Sequence, residues 1–392
     1  MTTPIPASRI FSPSHYSDPY AAYQALRPNS PISLEPDAEG TFGQRSSWLF
    51  MTHRDVSAIL RDPQTFSSRA AGGGGIGLPL IGDDPPRHMR LRNIVNRVFT
   101  PRRVAELEPW IAAAARELAG AIEPGAETDL VEAFAVPLPV RVIALLLGIP
   151  GDDYLQFKRW SDAFIGVASA GAAREQAMAA GMEMAAYFGQ AAQRRREQPG
   201  DDLISALVAA EVDGERLTQA ELLGFCVLLL VAGNETTTNL IGNTFGLLAG
   251  RPALWRALGD NRSLLVPLTE EALRYESPVQ ILVRTATVDV ELSGAQVRAG
   301  DPVIISFGAA NRDPDAFIDA ESFVPGRAPN NHLAFGYGIH FCLGAPLARL
   351  EARVTLEAFL DRFGEVAPAA TPAKRLSNPI VFGYERLPLV LR

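Results

Sequence analysis

Three runs in this chain carry side chains that could ligate, protonate or anchor something. The first reads Phe335, Gly336, Tyr337, Gly338, Ile339, His340, Phe341, Cys342, Leu343, Gly344 and holds one of only two cysteines in 392 residues. Glycine tolerates positive φ and lets backbone approach a bulky ligand with no Cβ in the way. Pro346 then opens a stretch in which Leu347, Leu350, Val354, Phe359, Leu360 and Phe363 recur at helical spacing. A sulfur at that helix N-terminus is favoured as an anion, so Cys342 is a candidate thiolate and metal ligand. Taken alone, it fits equally a small buried apolar residue in a glycine turn.

The second run is Ala232, Gly233, Asn234, Glu235, Thr236, Thr237, an acid beside hydroxyls in an otherwise apolar stretch. Polar groups are costly to bury there, and glycine inside a helix loses roughly 1 kcal/mol against alanine, so something must offset the cost. A helix kink with a satisfied hydroxyl is one answer; proton transfer is another. The third run, Asp83 to Arg92, places His88 and Arg92 four apart on one helical face. By themselves such residues are usually solvated.

The elements that must position these groups are mainly helical. Thr218 and Glu221 form a capping box that opens a helix of about thirty residues through the second run. Asp18 and Pro19 start a helix with Tyr20, Tyr23 and Leu26 on one face; Trp48 to Thr52 reads as a strand and Asp55 to Leu60 as a helix. Residues 104 to 212, rich in Ala, Leu, Glu and Arg, read as helices with few strand signals. Glu270 to Arg274 lies in a helix ending before Pro278, where Glu271 and Arg274 alone make an ordinary pair at helical spacing. Val279 to Val283 reads as a strand ending at Arg284, and Ile380 to Leu391 as short strands. Four glycines at 72 to 75 make a surface connector or a mobile lid.

With 47% hydrophobic and 20% charged residues the chain reads as one large globular body. A net charge of −8 argues against nucleic acid as partner. Two distant cysteines fit a reducing compartment, and Cys226 has no ligand-spaced neighbour and reads as core. Met1 to Ile10 lacks a signal-peptide core, and the apolar run Leu222 to Ala232 is too short to span a bilayer. A cytoplasmic monomer without membrane contact is expected.

Phe335, Gly338, Cys342 and Gly344 match in register the haem-binding loop of the cytochrome P-450 family of haem-thiolate monooxygenases. Ala232 to Thr236 is similar to that family's oxygen-activation motif, with Glu235 where many members carry Asp. Glu271 and Arg274 resemble its Glu-x-x-Arg pair, met by Arg327, although Val324 replaces a usual Asp. The resemblance runs from Asp18 to Pro388, with these motifs in family order after the His88 and Arg92 pair.

The resemblance implies a mainly α fold with a smaller β region, a single domain over residues 1–392 with a loosely ordered tail at 1–17. Haem b would lie between the long central helix and the cysteine loop. Cys342 would be the axial thiolate, favouring O–O cleavage, with Phe335, Gly336 and Gly344 against the cofactor. Ala232 and Gly233 would leave room for oxygen, Thr236 would hydrogen-bond there, and Glu235 would relay protons. His88, Arg92, Arg284 and His340 would reach the propionates. Glu271, Arg274 and Arg327 would be structural. Ile281 to Val283, Val381 and Phe382 would approach substrate, and the glycine loop and residues 160 to 187 would cover it. The implied reaction inserts one oxygen atom from O2 into a hydrophobic small molecule, by C–H hydroxylation or epoxidation. Electrons would come from a separate ferredoxin and its NAD(P)H-dependent reductase, docking at a basic patch of Arg87, Arg90, Arg97, Arg102 and Arg103. Two other readings are a peroxide-driven peroxygenase and a non-catalytic thiolate-haem sensor; Glu235 and Thr236 argue against both.

Overall fold

Thr218 and Glu221 cap each other: the Glu221 carboxylate accepts from Thr218 N at 2.9 Å, and Thr218 Oγ1 accepts from Glu221 N at 3.2 Å. The helix that follows is Gln219–Leu248, 30 residues long, as its apolar spacing predicts. By length and composition it could cross a membrane, yet half of its most apolar window is buried inside the protein. Phe225, Cys226, Leu230 and Phe245 lie in the main core cluster, which identifies it as a central core helix. It packs on the helices Pro137–Leu147 and Ala345–Arg362. The Phe359 ring sits 4.7 Å from both Phe245 and Phe134, edge-on to each.

The computed structural model describes residues 13–35, 46–69, 78–149, 154–165, 172–212 and 214–392. The glycine run 72–75, Met1 to Ile10 and residues 166–171 of the expected pocket cover lie outside the described residues. The architecture is mainly helical with small sheets. Helix starts follow local chemistry: Asp18 accepts from Ala21 N before Pro19–Leu26, and Thr52 accepts from Asp55 N before His53–Arg61.

The largest sheet has five strands in the order Ile32–Glu35, Ser47–Phe50, Pro302–Ser306, Ile281–Ala286, Phe66–Ser67. Only the Pro302–Ser306 and Ser47–Phe50 pair is parallel. Its core is separate from the helical one and is built on Phe50, Val303, Ile305 and Phe307. The strand read as ending at Arg284 instead starts at Ile281 and continues to Ala286, because Arg284 pairs with Val303. Val279 makes only an isolated bridge to Val381.

The C-terminal run does not fold into one hairpin. Tyr384–Arg386 pairs with Lys374–Arg375, whereas Pro388–Leu391 lies between Val366–Pro368 and Glu127–Asp129. Phe382 is buried edge-on against Tyr20 at 5.2 Å, and its N–H donates at 2.9 Å to the carbonyl of Pro278, which lines the cavity. The helical stretch 104–212 also contains short strands, Glu127–Asp129 and Glu211–Val212.

The helix Leu265–Tyr275 packs against the long helix and the Ala345–Arg362 helix and carries Glu271 and Arg274, both fully buried. Arg327 Nε reaches Glu271 at 3.1 Å, and the backbone N–H of Val324 donates to Glu271 at 2.8 Å. Main chain at Val324 thus serves the carboxylate without an acidic side chain there. The predicted basic patch is largely neutralised: Arg87 pairs with Asp83, Arg90 with Glu221 and Glu215, Arg102 with Glu106, and Arg103 with Asp201.

Candidate active site

The cysteine loop is closed by its own backbone. Cys342 N donates to Phe335 O at 2.9 Å, and Phe341 N to Gly338 O at 3.1 Å. Gly338 has φ of 70°, and a Cβ there would stand 2.6 Å from the Leu60 carbonyl oxygen at the end of the His53–Arg61 helix. Both facts require glycine. Gly336, with φ of 69°, meets nothing closer than 3.8 Å.

Burial pushes the Cys342 thiol up, while the N–H groups of Gly344 and Ala345 and the guanidiniums of Arg92 and Arg349 pull it back. Burial prevails, and the sulfur would become a thiolate once it faced a metal cation. Arg349 is fixed by two bonds to Glu270, at 2.7 and 2.8 Å, and lies 4.5 Å above the Phe335 ring.

A cavity of about 270 Å³ separates this loop from the long helix. Phe335, Gly336, His340, Cys342 and Gly344 line one side. Ala232, Gly233, Thr236 and Thr237 line the other, with Leu228 and Leu229. Glu235 is half-buried beside Thr236 and is not among the lining residues.

The long helix is α-helical throughout the 232–237 run. Thr236 Oγ1 donates to Ala232 O at 2.7 Å, and Thr237 Oγ1 to Gly233 O at 2.9 Å, which spends each hydroxyl proton on the helix and leaves oxygen lone pairs. Gly233 packs closely: a Cβ there would stand 2.9 Å from Ile143 Cδ1, the end of a side chain that would have to turn aside.

His88, Arg92, Arg284 and His340 converge on this cavity. The His88 and His340 rings are 4.4 Å apart. His88 is 2% exposed, and neither of its ring nitrogens has a hydrogen-bond partner. Burial, then the Arg92 charge, hold its pKa down. Burial, Arg284 and His88 bring His340 down to about 3, and burial lowers Arg284 to about 10. Such a cluster of buried donors, mutually repelling and with orphaned nitrogens, fits a ligand that carries anionic groups. The two carboxylates of a haem meet that requirement, and the buried Cys342 sulfur on the cavity wall meets the requirement of its iron.

Sequence reasoning missed three nearby groups. Ser68 Oγ is 2.9 Å from His340 Nε2, and Asp84 accepts from Ser68 N at 2.8 Å and from Ser67 Oγ. Glu351 also lines the cavity. Its signal was an acid, followed by Thr355 one turn on, interrupting the apolar stripe from Leu347 to Phe359.

The cytochrome P450 family pattern matches residues 156–389 of this chain. "Cytochrome P450 109" of Bacillus spizizenii is 39% identical, covering 98% of this chain and 95% of that protein. The mycinamicin IV hydroxylase/epoxidase of Micromonospora griseorubida is 40% identical, covering 92% of each. The crystal structure of CYP109E1 from Bacillus megaterium in complex with corticosterone superposes with a TM-score of 0.87 at 38% identity, covering 96% of this chain and 99% of that one. The chain therefore belongs to the cytochrome P450 family, which implies a haem cofactor, and it is a cytochrome P450 monooxygenase acting on small molecules.

Proposed function

We propose that this chain binds haem b through Cys342 and oxidises a hydrophobic small molecule by C–H hydroxylation or epoxidation. The observation that carries this reading is a single cavity bounded by the Cys342 sulfur on one side and Thr236 on the other, with His88, Arg92, Arg284 and His340 around it. When bound, the haem supplies dioxygen activation and transfer of one oxygen atom, the other leaving as water.

The chain's own residues bind, orient and protonate. His88, Arg92, Arg284 and His340 anchor the two carboxylates of the cofactor and gain the anionic partners they lack. Thr236, through its oxygen lone pairs, holds water at the reacting site, and Glu235 on the adjacent position passes protons inward from the helix flank. Leu80, Ile81, Leu228, Leu229, Val279 and Leu282 give the substrate an apolar seat. Among the described lining residues the basic groups are His88, Arg92, Arg284 and His340, and the one carboxylate is Glu351. The remaining wall favours a steroid, terpenoid, fatty acid or macrolide-like compound. One relative's structure holds corticosterone, and another relative is named for mycinamicin IV, which supports that range.

Electrons come from a ferredoxin and its NAD(P)H-dependent reductase. Docking falls on the face where Tyr337 and Phe341 are exposed beside Cys342. The protein works as a single-domain monomer in the cytoplasm, and its two free cysteines, Cys226 and Cys342, suit a reducing compartment. Titrating the ferric protein with a panel of these ligands tests the substrate reading. A low-spin to high-spin change with at least one of these hydrophobic compounds is expected, followed by oxidised product with ferredoxin and reductase. No spectral change across the panel would contradict it.

A further inference from the structure

Before Ile281 the cavity wall belongs to no sheet. Pro278 and Val279 line the cavity, but the strand Ile281–Ala286 begins only after them. Pro278 has no N–H to give, and Val279 makes a single isolated bridge, to Val381. This part of the wall leans on the C-terminal run instead: Phe382 N donates to Pro278 O at 2.9 Å, and Gln280 N to Ile380 O at 2.7 Å. That run lies between Lys374–Arg375 and Tyr384–Arg386, which pair with each other in a sheet of two strands. Such a ribbon is marginal in water unless it packs on something. Its Tyr384 ring lies against the long helix where Gly246 leaves room, since a Cβ there would stand 2.7 Å from Tyr384 Cε2.

A buried amide joins these pieces. Asn243, wholly out of solvent, lies on the long helix two turns beyond Thr236. Its Nδ2 donates to Glu276 O at 3.2 Å and to Phe382 O at 3.0 Å, and its Oδ1 accepts from Arg375 Nη1 at 2.8 Å. The amide has one possible orientation, because the two carbonyls can only accept and the guanidinium can only donate. Arg375 Nη2 goes to both oxygens of the buried Glu276 carboxylate, at 2.9 and 3.1 Å. The same guanidinium stacks 3.7 Å from the Tyr384 ring centre and 4.3 Å from that of Phe382. One cluster therefore ties the long helix to the end of the Leu265–Tyr275 helix and to the C-terminal run. Well-packed apolar residues often serve stability as well as a buried ion pair does, so stability alone does not call for this polar joint.

We propose that Asn243 and Arg375 are positioning residues for substrate choice. Neither is among the described residues that line the cavity, yet together they set where Pro278 and Val279 stand and so how much room a substrate has at that wall. The path is short. Arg375 orients the Asn243 amide, and Asn243 holds the carbonyls of Glu276, two residues before Pro278, and of Phe382, whose N–H is bonded to Pro278. Loosening either residue frees the wall to shift without touching Cys342 or the cluster of His88, Arg92, Arg284 and His340. This rests on the haem-thiolate reading above and on Val279 seating the substrate.

Optical titration of the ferric, haem-loaded protein with imidazole and with 4-phenylimidazole tests this. Both place a nitrogen on the iron, but only the second carries a ring bulky enough to meet the wall. In Asn243→Ala the ratio of the two affinities should move several-fold from that of the wild type, with imidazole binding and the red-shifted carbon monoxide band unchanged. Arg375→Lys keeps the charge but lacks the fork that serves Asn243 and Glu276 together, so it should move the ratio in the same direction. It decides the matter if Asn243→Ala fails to take up haem. Lys374→Ala, which breaks only the exposed pair with Glu385 on the same ribbon, should keep the wild-type ratio. Adding Val279→Ala to Arg375→Lys should change the ratio by less than the product of the single effects, because both act at one wall. A cluster that only stabilises the fold would lower the unfolding midpoint and leave the ratio alone. A wild-type ratio in the loaded variants, or effects that simply multiply, would overturn the proposal while leaving the thiolate reading intact. Absence of the red-shifted carbon monoxide band in the wild type itself would instead sink that reading.

Discussion

Arg274 grips Glu271 through two parallel hydrogen bonds, Nε to Oε2 and Nη2 to Oε1, each 2.8 Å, with both side chains wholly out of solvent. The remaining guanidinium protons go to the carbonyls of Asn311, Ala320 and Ser322. This one side chain therefore ties the helix to the loops that precede the cysteine. Arg274→Ala strands a buried carboxylate and should cost roughly 3–5 kcal/mol. Arg274→Lys should fail nearly as badly, because an ammonium cannot form the planar fork. Haem content and thermal unfolding check this; an Arg274→Lys protein with wild-type haem content and midpoint would contradict it.

Two neighbouring glycines should respond differently to a methyl group. Gly336→Ala meets only the His340 carbonyl oxygen at 3.8 Å, an ordinary contact, and adds the left-handed backbone penalty, on the order of 1 kcal/mol. Gly338→Ala adds a clash with the Leu60 carbonyl, which is main chain and cannot swing away. The expected result is near-normal haem loading for the first and grossly reduced loading for the second. Equal loading would mean that the loop does not sit against Leu60 as described.

Glu270 offers a pH signature. Burial works against its charge, but hydrogen bonds and charge from Arg349, with those from His332, outweigh it and draw the carboxyl from its ordinary 4.5 to about 2. The folded state therefore holds this proton less tightly than the unfolded chain. The resulting stability is fully present above pH 4.5 and is lost as pH falls toward 2, with an upper bound of about 3 kcal/mol. Glu270→Gln should be less stable than wild type in urea at neutral pH, and the gap should close on acidification. A gap that stays constant down to acid pH would refute this account.

The sequence made the helix frame legible where local chemistry is decisive. The Thr218 and Glu221 box set the start of the long helix, and its apolar spacing set its length. Phe335 to Gly344 was legible because Gly338 answers to backbone constraints that few other residues can satisfy and because Phe335, Gly338, Cys342 and Gly344 keep the spacing of a haem-binding loop. Long-range choices were not. Val324 could not be seen as a backbone donor to Glu271, since main-chain contacts leave no trace in residue type. Nor could Arg90 and Arg103 be seen as paired, because Glu221 and Asp201 come from distant positions, whereas Arg87 with Asp83 and Arg102 with Glu106 stand at helical spacing. Gly233 lines the cavity as its reading for oxygen requires, and Ile143, which comes from another helix, could not be seen beside it.

Thr236 keeps its hydroxyl on Ala232 O at 2.7 Å and so presents lone pairs to the cavity. Thr236→Ala removes that acceptor without disturbing the apolar wall. Product per reductant should fall at least several-fold while peroxide rises and the spectrum stays that of the wild type. Fully coupled turnover in this variant would remove Thr236 from the mechanism.

The haem-thiolate reading depends on the Cys342 sulfur being the iron ligand. The direct measurement is the absorption spectrum of the dithionite-reduced protein with and without carbon monoxide, in wild type and in Cys342→Ser. A strongly red-shifted Soret band in the wild type that is missing from Cys342→Ser is the predicted result. A carbonyl band of the histidine type, unaffected by the substitution, would contradict it.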